Sequence, residues 1–302
     1  MSSGATRLPL TLALGGGGMK CVAEAAVLAV LEEAGLPIGP LVGVSGGGIV
    51  AVLYAAGFTP LQIRDEFQRI HLLEVWEPDP ERQALFGASR IRARFRELVG
   101  EKTFADLRRP AVAMAMNFHT AQPVPITSGT LADALTATMA IPGLFQGVAR
   151  GEELLVDCGV INPLPVDVAR QLGPRVVAVD VLHHDSLEEA DNIIEPRGPL
   201  RYAAGLTRQL GVSLIIRNGY QAIKIGMQRL TEWNLATYPP DVLLRPAVGP
   251  VGLFGSHQAE QAYLMGEAAT RAALPQLEAL AQAPSGWRGL WQRLRRPSPA
   301  AG

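Results

Sequence analysis

The stretch Pro40-Leu41-Val42-Gly43-Val44-Ser45-Gly46-Gly47-Gly48-Ile49-Val50 constrains this chain more than any other. An apolar run ends in Gly-Val-Ser-Gly-Gly, and a helical pattern of small and apolar residues follows at once (Ile49, Val50, Ala51, Val52, Leu53, Ala55, Ala56). A strand, a sharp Gly-x-Ser-x-Gly turn and a helix form a nucleophile elbow, in which glycines let helix and strand approach closely. Ser45 would then stand at a helix N-terminus, where free N–H groups and the dipole favour a developing negative charge. The alternative is a Gly-rich turn whose serine merely caps the helix. The context decides between them.

Composition sets the limits. With 302 residues, 48% of them hydrophobic, the chain can bury one large core, with or without a small cap. A net charge of −1 gives no reason to expect a nucleic-acid partner. The apolar runs are too short for a membrane span, and Leu8 to Leu14 reads as a first strand, not a signal peptide. Two cysteines in a chain of this length argue against a disulfide scaffold and fit a reducing, cytoplasmic setting.

Taken in order, Leu8 to Leu14 is expected as a buried strand, Val22 to Ala34 as a helix, Ile38 to Val44 as a second strand and Ile49 to Ala56 as a second helix. This is a parallel α/β beginning. Thr59 to Arg109 is charged, helical in spacing and broken by Pro78 and Pro80, as for a helical cap over the sheet. Further strands are expected at Ala111 to Met116, Leu154 to Val156, Val176 to Val181 and Val242 to Leu244. Helices are expected at Thr130 to Ala140, Val166 to Leu172, Leu206 to Asn234 and Ala259 to Leu280, with a loop over Asp185 to Leu200. The reading is one α/β domain over residues 1–280, with 59–109 as its cap and 281–302 as a tail.

Three glycine-bearing motifs then stand at strand ends: Gly16-Gly17-Gly18-Met19-Lys20, Gly43-Val44-Ser45-Gly46-Gly47, and Asp157-Cys158-Gly159 followed by Asn162-Pro163. Sites in open α/β sheets assemble at the carboxyl ends of strands. Acyl transfer needs a nucleophile, a base within reach and donors aimed at the oxyanion. Ser45 supplies the first, Asp157 is the best-placed base, and the glycine loop offers backbone N–H groups that no side chain shields.

With this ordered trio the sequence resembles the bacterial branch of the patatin-like phospholipase family. Leu31–Gly35 (Leu-Glu-Glu-Ala-Gly), Leu53–Gly57, Thr103–Leu107, Ser128-Gly129, Ile141–Phe145 and Asn162–Val166 extend the resemblance, from Leu10 to about Leu280. It implies a three-layer α/β fold with a mostly parallel central sheet flanked by helices, and a Ser–Asp dyad without a catalytic histidine that hydrolyses lipid acyl esters. Ser45 would attack the ester and Asp157 would take its proton. The N–H groups of Gly17, Gly18 and Gly46 would hold the oxyanion, with no metal and no cofactor. Lys20 matches the family's basic loop position and is expected to orient the loop or meet a head-group. Two departures stand out: Cys21 replaces the last glycine of the loop, and Cys158 the middle glycine of the Asp motif. A position demanding positive φ would strain a cysteine, and two thiols close enough to bridge would make a redox lock; simple tolerance of a small side chain is the other reading.

The remaining features invite less. Of the five histidines, His257 is the one placed as a triad histidine would be, and His183-His184 sit side by side, where neighbours on a strand end face opposite ways. Both are read as loop or surface histidines. In the tail, Trp287, Leu290, Trp291 and Leu294 fall on one helical face among Arg288, Arg293, Arg295 and Arg296. That pattern suits either an anionic membrane interface or docking on the domain. The functional expectation is a serine lipid acyl hydrolase acting on phospholipids or lysophospholipids, cytoplasmic and with peripheral membrane contact possible through the tail. The alternative is a weakly active patatin-fold protein that binds lipid or a partner.

Overall fold

The computed structural model describes residues 7–69, 77, 79, 84–183 and 212–282, with 212–217 and 220 as backbone only. The expected Asp185–Leu200 loop, Pro78 and Pro80, His71 and His184, and the tail with Trp287, Arg288, Trp291 and Arg293 lie outside the described residues.

One mixed sheet of eight strands organises the chain, in the order β5-β6-β3-β2-β1-β7-β8 with β4 paired to β3 off that path. The parallel part is β1 (Leu10–Leu14), β2 (Ile38–Val44), β3 (Ala111–Asn117), β7 (Val176–Val179) and β8 (Val242–Leu244). Its strands are predominantly apolar, β7 and β8 without interruption, because helices cover both faces. Alternation along each strand divides the core in two. Leu10, Leu12, Leu14, Ala111, Ala113, Ala115, Val177 and Val179 face one way. Ala13, Val112, Met114, Met116, Val176 and Ala178 face the other. The first layer holds α1 (Val22–Glu33), α2 (Gly46–Ala55), α3 (Pro60–Arg69), α4 (Ser89–Val99), α5 (Leu131–Thr138) and α8 (Ala259–Ala281). The second holds α6 (Val166–Leu172) and part of α7 (Val212–Thr237). Within the expected cap, α3 packs on α1 and α8, and α4 packs on α5.

Three antiparallel pairings complete the sheet, and two of the strands involved were not expected: β4 (Gln122–Ile126) and β5 (Val148–Arg150). Pro123 and Pro125 hide β4 from a strand pattern, yet an edge strand tolerates proline because its outer N–H groups have no partner to lose. The pairing of β6 (Glu153–Asp157) has a larger consequence. β4 occupies one edge of β3 from Ala113 to Asn117. On the other edge β2 ends with Val44 opposite Met114, and β6, running the opposite way, ends with Asp157 opposite Ala115. Two strands therefore meet end to end along one edge of β3, and the residues at that junction are Ser45 and Asp157.

Candidate active site

The turn at the end of β2 holds its serine in a strained conformation. Ser45 has φ 56° and ψ −128°, a backbone conformation that costs a non-glycine residue on the order of 1–3 kcal/mol. Among the described residues only Ser45 and Ala121 have positive φ outside glycine. The strain is held from outside the turn. Ser45 N donates to Thr138 Oγ1 (3.0 Å), and Thr138 Oγ1 donates to Met114 O (2.7 Å), so the end of α5 braces the elbow against β3. Close packing explains the glycines: a Cβ on Gly43 would lie 2.2 Å from Gly47 O. The helix begins at Gly46, three residues earlier than expected from Ile49. Glycines read as breakers in sequence, but in a first turn they bring N–H groups without intrahelical partners.

The glycine loop lies against this turn. Gly15 N donates to Val179 O (3.1 Å), Gly16 N to Pro163 O (2.9 Å) and Met19 N to Leu253 O (3.0 Å), tying the loop to three separate segments. Gly18 has φ 57°, and a Cβ there would fall 2.3 Å from Leu253 O, so no other residue fits. A Cβ on Gly16 would meet Ser45 Cβ at 3.3 Å, and one on Gly46 would meet Gly18 O at 2.7 Å. Among the described residues, no acceptor is hydrogen-bonded to the N–H of Gly17, Gly18 or Gly46. Lys20 is buried with its Nζ donating to Gly249 O (3.3 Å), an arrangement that orients the loop.

Asp157 is 4% exposed and Ser45 8%. The carboxylate accepts from Gly159 N at Oδ1 (2.8 Å). Burial pushes its pKa up from 3.8 to about 6, against the pull of the nearby Ser45 hydroxyl and of the hydrogen bond from Gly159 N–H. A buried carboxylate poised near neutrality beside a serine hydroxyl has the protonation behaviour of a general base. Met227 of α7 closes over this motif, its Cε 3.3 Å from where a Gly159 Cβ would sit. Asn234 Nδ2 fixes the same helix to Asn162 Oδ1 (3.1 Å) and Leu164 O (2.8 Å).

Neither cysteine behaves as a strained position or a redox pair. Cys21 has φ −66° and Cys158 is not among the positive-φ residues. Both are free, buried thiols, and they belong to core clusters on opposite faces of the sheet. Burial, with nearby Glu24 and Asp157, holds the Cys21 thiol well above its ordinary value. Burial likewise pushes Cys158 up to about 12. His257 is exposed on a 3-10 turn (Ser256–Gln258), and His183 Nδ1 pairs with Asp180 O (2.9 Å). Among the described residues, no group of three or more His, Cys, Asp or Glu side chains could hold a metal ion. The sequence reading missed Thr138, Met227 and a buried carboxyl beneath the elbow, Glu24; none of them carries a local pattern that marks it.

The family model for patatin-like phospholipases matches residues 12–170, more than half of the chain and the part holding all three motifs. The resemblance expected to continue to Leu280 is not carried past residue 170 by that match. An uncharacterized NTE family protein of Mycobacterium tuberculosis is 31% identical over 165 residues, covering 52% of this chain and 44% of its own length. Patatin-like phospholipase domain-containing protein 6 of Homo sapiens is 29% identical over 197 residues, covering 59% of this chain and 14% of the relative. Protein 7 of that series in Rattus norvegicus is 27% identical over 194 residues, with 59% and 14% covered. The chain thus spans less than half the length of the curated relatives it matches. With the family model spanning the glycine loop, the elbow and the aspartate motif together, the chain belongs to the patatin-like phospholipase family.

Proposed function

We propose that this chain is a serine lipid acyl hydrolase that works through a Ser45–Asp157 dyad. The observation that carries the reading is the buried Asp157 carboxylate, poised near neutral pH at the junction where β2 and β6 meet and Ser45 stands. In the first half-reaction Ser45 Oγ bonds to the ester carbonyl carbon while its proton passes to Asp157. The carbonyl oxygen becomes an oxyanion, and the unpaired N–H groups of Gly17, Gly18 and Gly46 are the donors available to it. Collapse breaks the bond to the leaving alcohol, which takes the proton back from Asp157. Water then attacks the acyl-enzyme with Asp157 again as base, and the fatty acid leaves with Ser45 regenerated.

A lipid substrate is favoured by α7. One side of it sets Met227 against the aspartate motif, while Ile223, Ile225, Leu230 and Trp233 are exposed elsewhere on the helix. No described helix is long and apolar enough to cross a membrane, so contact with lipid would be made from the surface. Domain limits of 1–280 with a 281–302 tail, and membrane contact through Trp287, Arg288, Trp291 and Arg293, belong to the same proposal and rest on sequence pattern alone.

The test is hydrolysis of a p-nitrophenyl acyl ester by the wild type, Ser45→Ala and Asp157→Asn, each checked for folding. Both substitutions are expected to lower kcat by about a thousandfold or more. A wild type no faster than Ser45→Ala would overturn the dyad and favour a patatin-fold protein that binds lipid without cleaving it.

A further inference from the structure

Directly beneath the elbow lies an ionisable group that the dyad mechanism does not use. Glu24, the third residue of α1, is 0% exposed, and neither carboxyl oxygen has a hydrogen-bond partner among the described residues. Its position is defined by Gly47. A Cβ on Gly47 would sit 2.4 Å from Gly15 O, 2.8 Å from Leu14 O and 2.9 Å from Glu24 Oε2. Three oxygens thus crowd around the first turn of α2, and two of them are backbone carbonyls that carry no proton. The neighbouring Cys21 thiol is directed at Gly15 O (3.3 Å). A protonated carboxyl in this cluster can donate to one of the two carbonyls, which an ionised carboxylate cannot do.

We propose that Glu24 is a positioning residue: held as a neutral acid, it donates its proton to the carbonyl edge of Leu14 and Gly15 and locks the glycine loop against the first turn of α2. The spacing it fixes is the one between the N–H groups of Gly17 and Gly18 on the loop and that of Gly46 on the elbow. The role rests on the serine-hydrolase reading, since that spacing matters only where an oxyanion forms.

The surroundings keep the acid neutral. Burial raises its pKa well above the ordinary carboxylate range, and the polar neighbours Gly15 N–H and Cys21 only partly offset this. Among the described residues, the charged groups around it do not supply a counter-ion. Asp180, at the end of β7, adds to the upward push and is itself answered by Arg245 (3.2 Å). Asp157 lies beyond Cys21, and Lys20 directs its ammonium at Gly249 O. Ionised, Glu24 would place negative charge under the first turn of α2 and oppose an oxyanion held by Gly46 N–H.

The experiment compares wild type, E24Q and E24L for kcat and KM on a soluble p-nitrophenyl ester, for pH profile, and for amide hydrogen exchange at residues 15–21 and 45–48. E24Q keeps a neutral donor and should hold kcat within about threefold, while lacking the fall at alkaline pH that wild type shows as Glu24 ionises. E24L should lose about tenfold to a hundredfold in kcat with KM little changed, since a displacement near 1 Å has that effect. Exchange at both segments should quicken, because the bond that holds them together is gone. Wild-type kcat and exchange in E24L would overturn the proposal, as would E24Q as slow as E24L. Should E24L fail to fold, E24A and the E24Q pH profile carry the same test. If Ser45→Ala proves as active as wild type, the dyad falls, and the exchange data still decide whether Glu24 locks the loop.

Discussion

As the proposed base, Asp157 meets two opposed demands. A base must be ionised at the working pH, yet burial favours its protonated form, and the result is a pKa of about 6 against 3.8 unburied. Between about pH 4 and 6 the native protein therefore holds a proton that the unfolded chain has released. Stability falls as pH rises through this window, and the cost is present in full above it. A shift of this size corresponds to a cost on the order of 2–3 kcal/mol at neutral pH. Asp157→Asn carries no charge, so it should be inactive and more stable than wild type at pH 8, with the advantage vanishing near pH 4. Thermal melts of both proteins at the two pH values check this; a stability difference independent of pH would rule the account out. Activity of the wild type should rise through pH 6 as the carboxylate forms.

At the scale of the element, the elbow is a strained turn that its own residues cannot hold. Thr138 ties it to β3 by accepting from Ser45 N and donating to Met114 O. Thr138→Val keeps shape and volume but removes the acceptor, leaving a buried N–H unsatisfied at a cost of about 1–3 kcal/mol. Denaturant unfolding should show that loss, and kcat should fall with it while Thr138→Ser restores both; a Thr138→Val enzyme with wild-type kcat would mean the turn holds itself. The contrast between Ser45 and Thr138 shows what a sequence can reveal. Gly43, Ser45, Gly46 and Gly47 are legible because a sharp turn writes its needs into adjacent residues. Thr138 sits 93 residues away in a helix of small side chains and joins the elbow only when α5 packs on β3. Glu24 was equally hidden, since a glutamate in the first turn of a helix reads as ordinary N-terminal preference. The two cysteines fit the reading that both positions tolerate a small side chain, and their proximity to motifs in sequence said nothing about which face of the sheet each would enter.

Across the whole molecule, the parallel strands and their covering helices could be read from apolar runs, whereas the junction that makes the site could not. It depends on β6 entering antiparallel and abutting β2 along β3, and no periodicity in Glu153–Asp157 records that direction. The same architecture puts α7 beside the junction, with Met227 turned toward the aspartate motif and Trp233 66% exposed. The exposed residues Ala222, Ile223, Gly226, Leu230 and Trp233 share one side of the helix at spacings of three, four and seven residues. The two charges in their midst, Arg229 and Glu232, pair with each other at 2.8 Å. A surface that is apolar, bears a tryptophan and has its charges self-neutralised suits a lipid interface better than a charged partner. Replacing Leu230 and Trp233 together by glutamate should therefore lower hydrolysis of phospholipid in zwitterionic vesicles by about tenfold relative to hydrolysis of a soluble ester. The ratio of the two rates is the quantity to measure, because a misfolded variant lowers both alike. An unchanged ratio would mean that lipid reaches the site by another face.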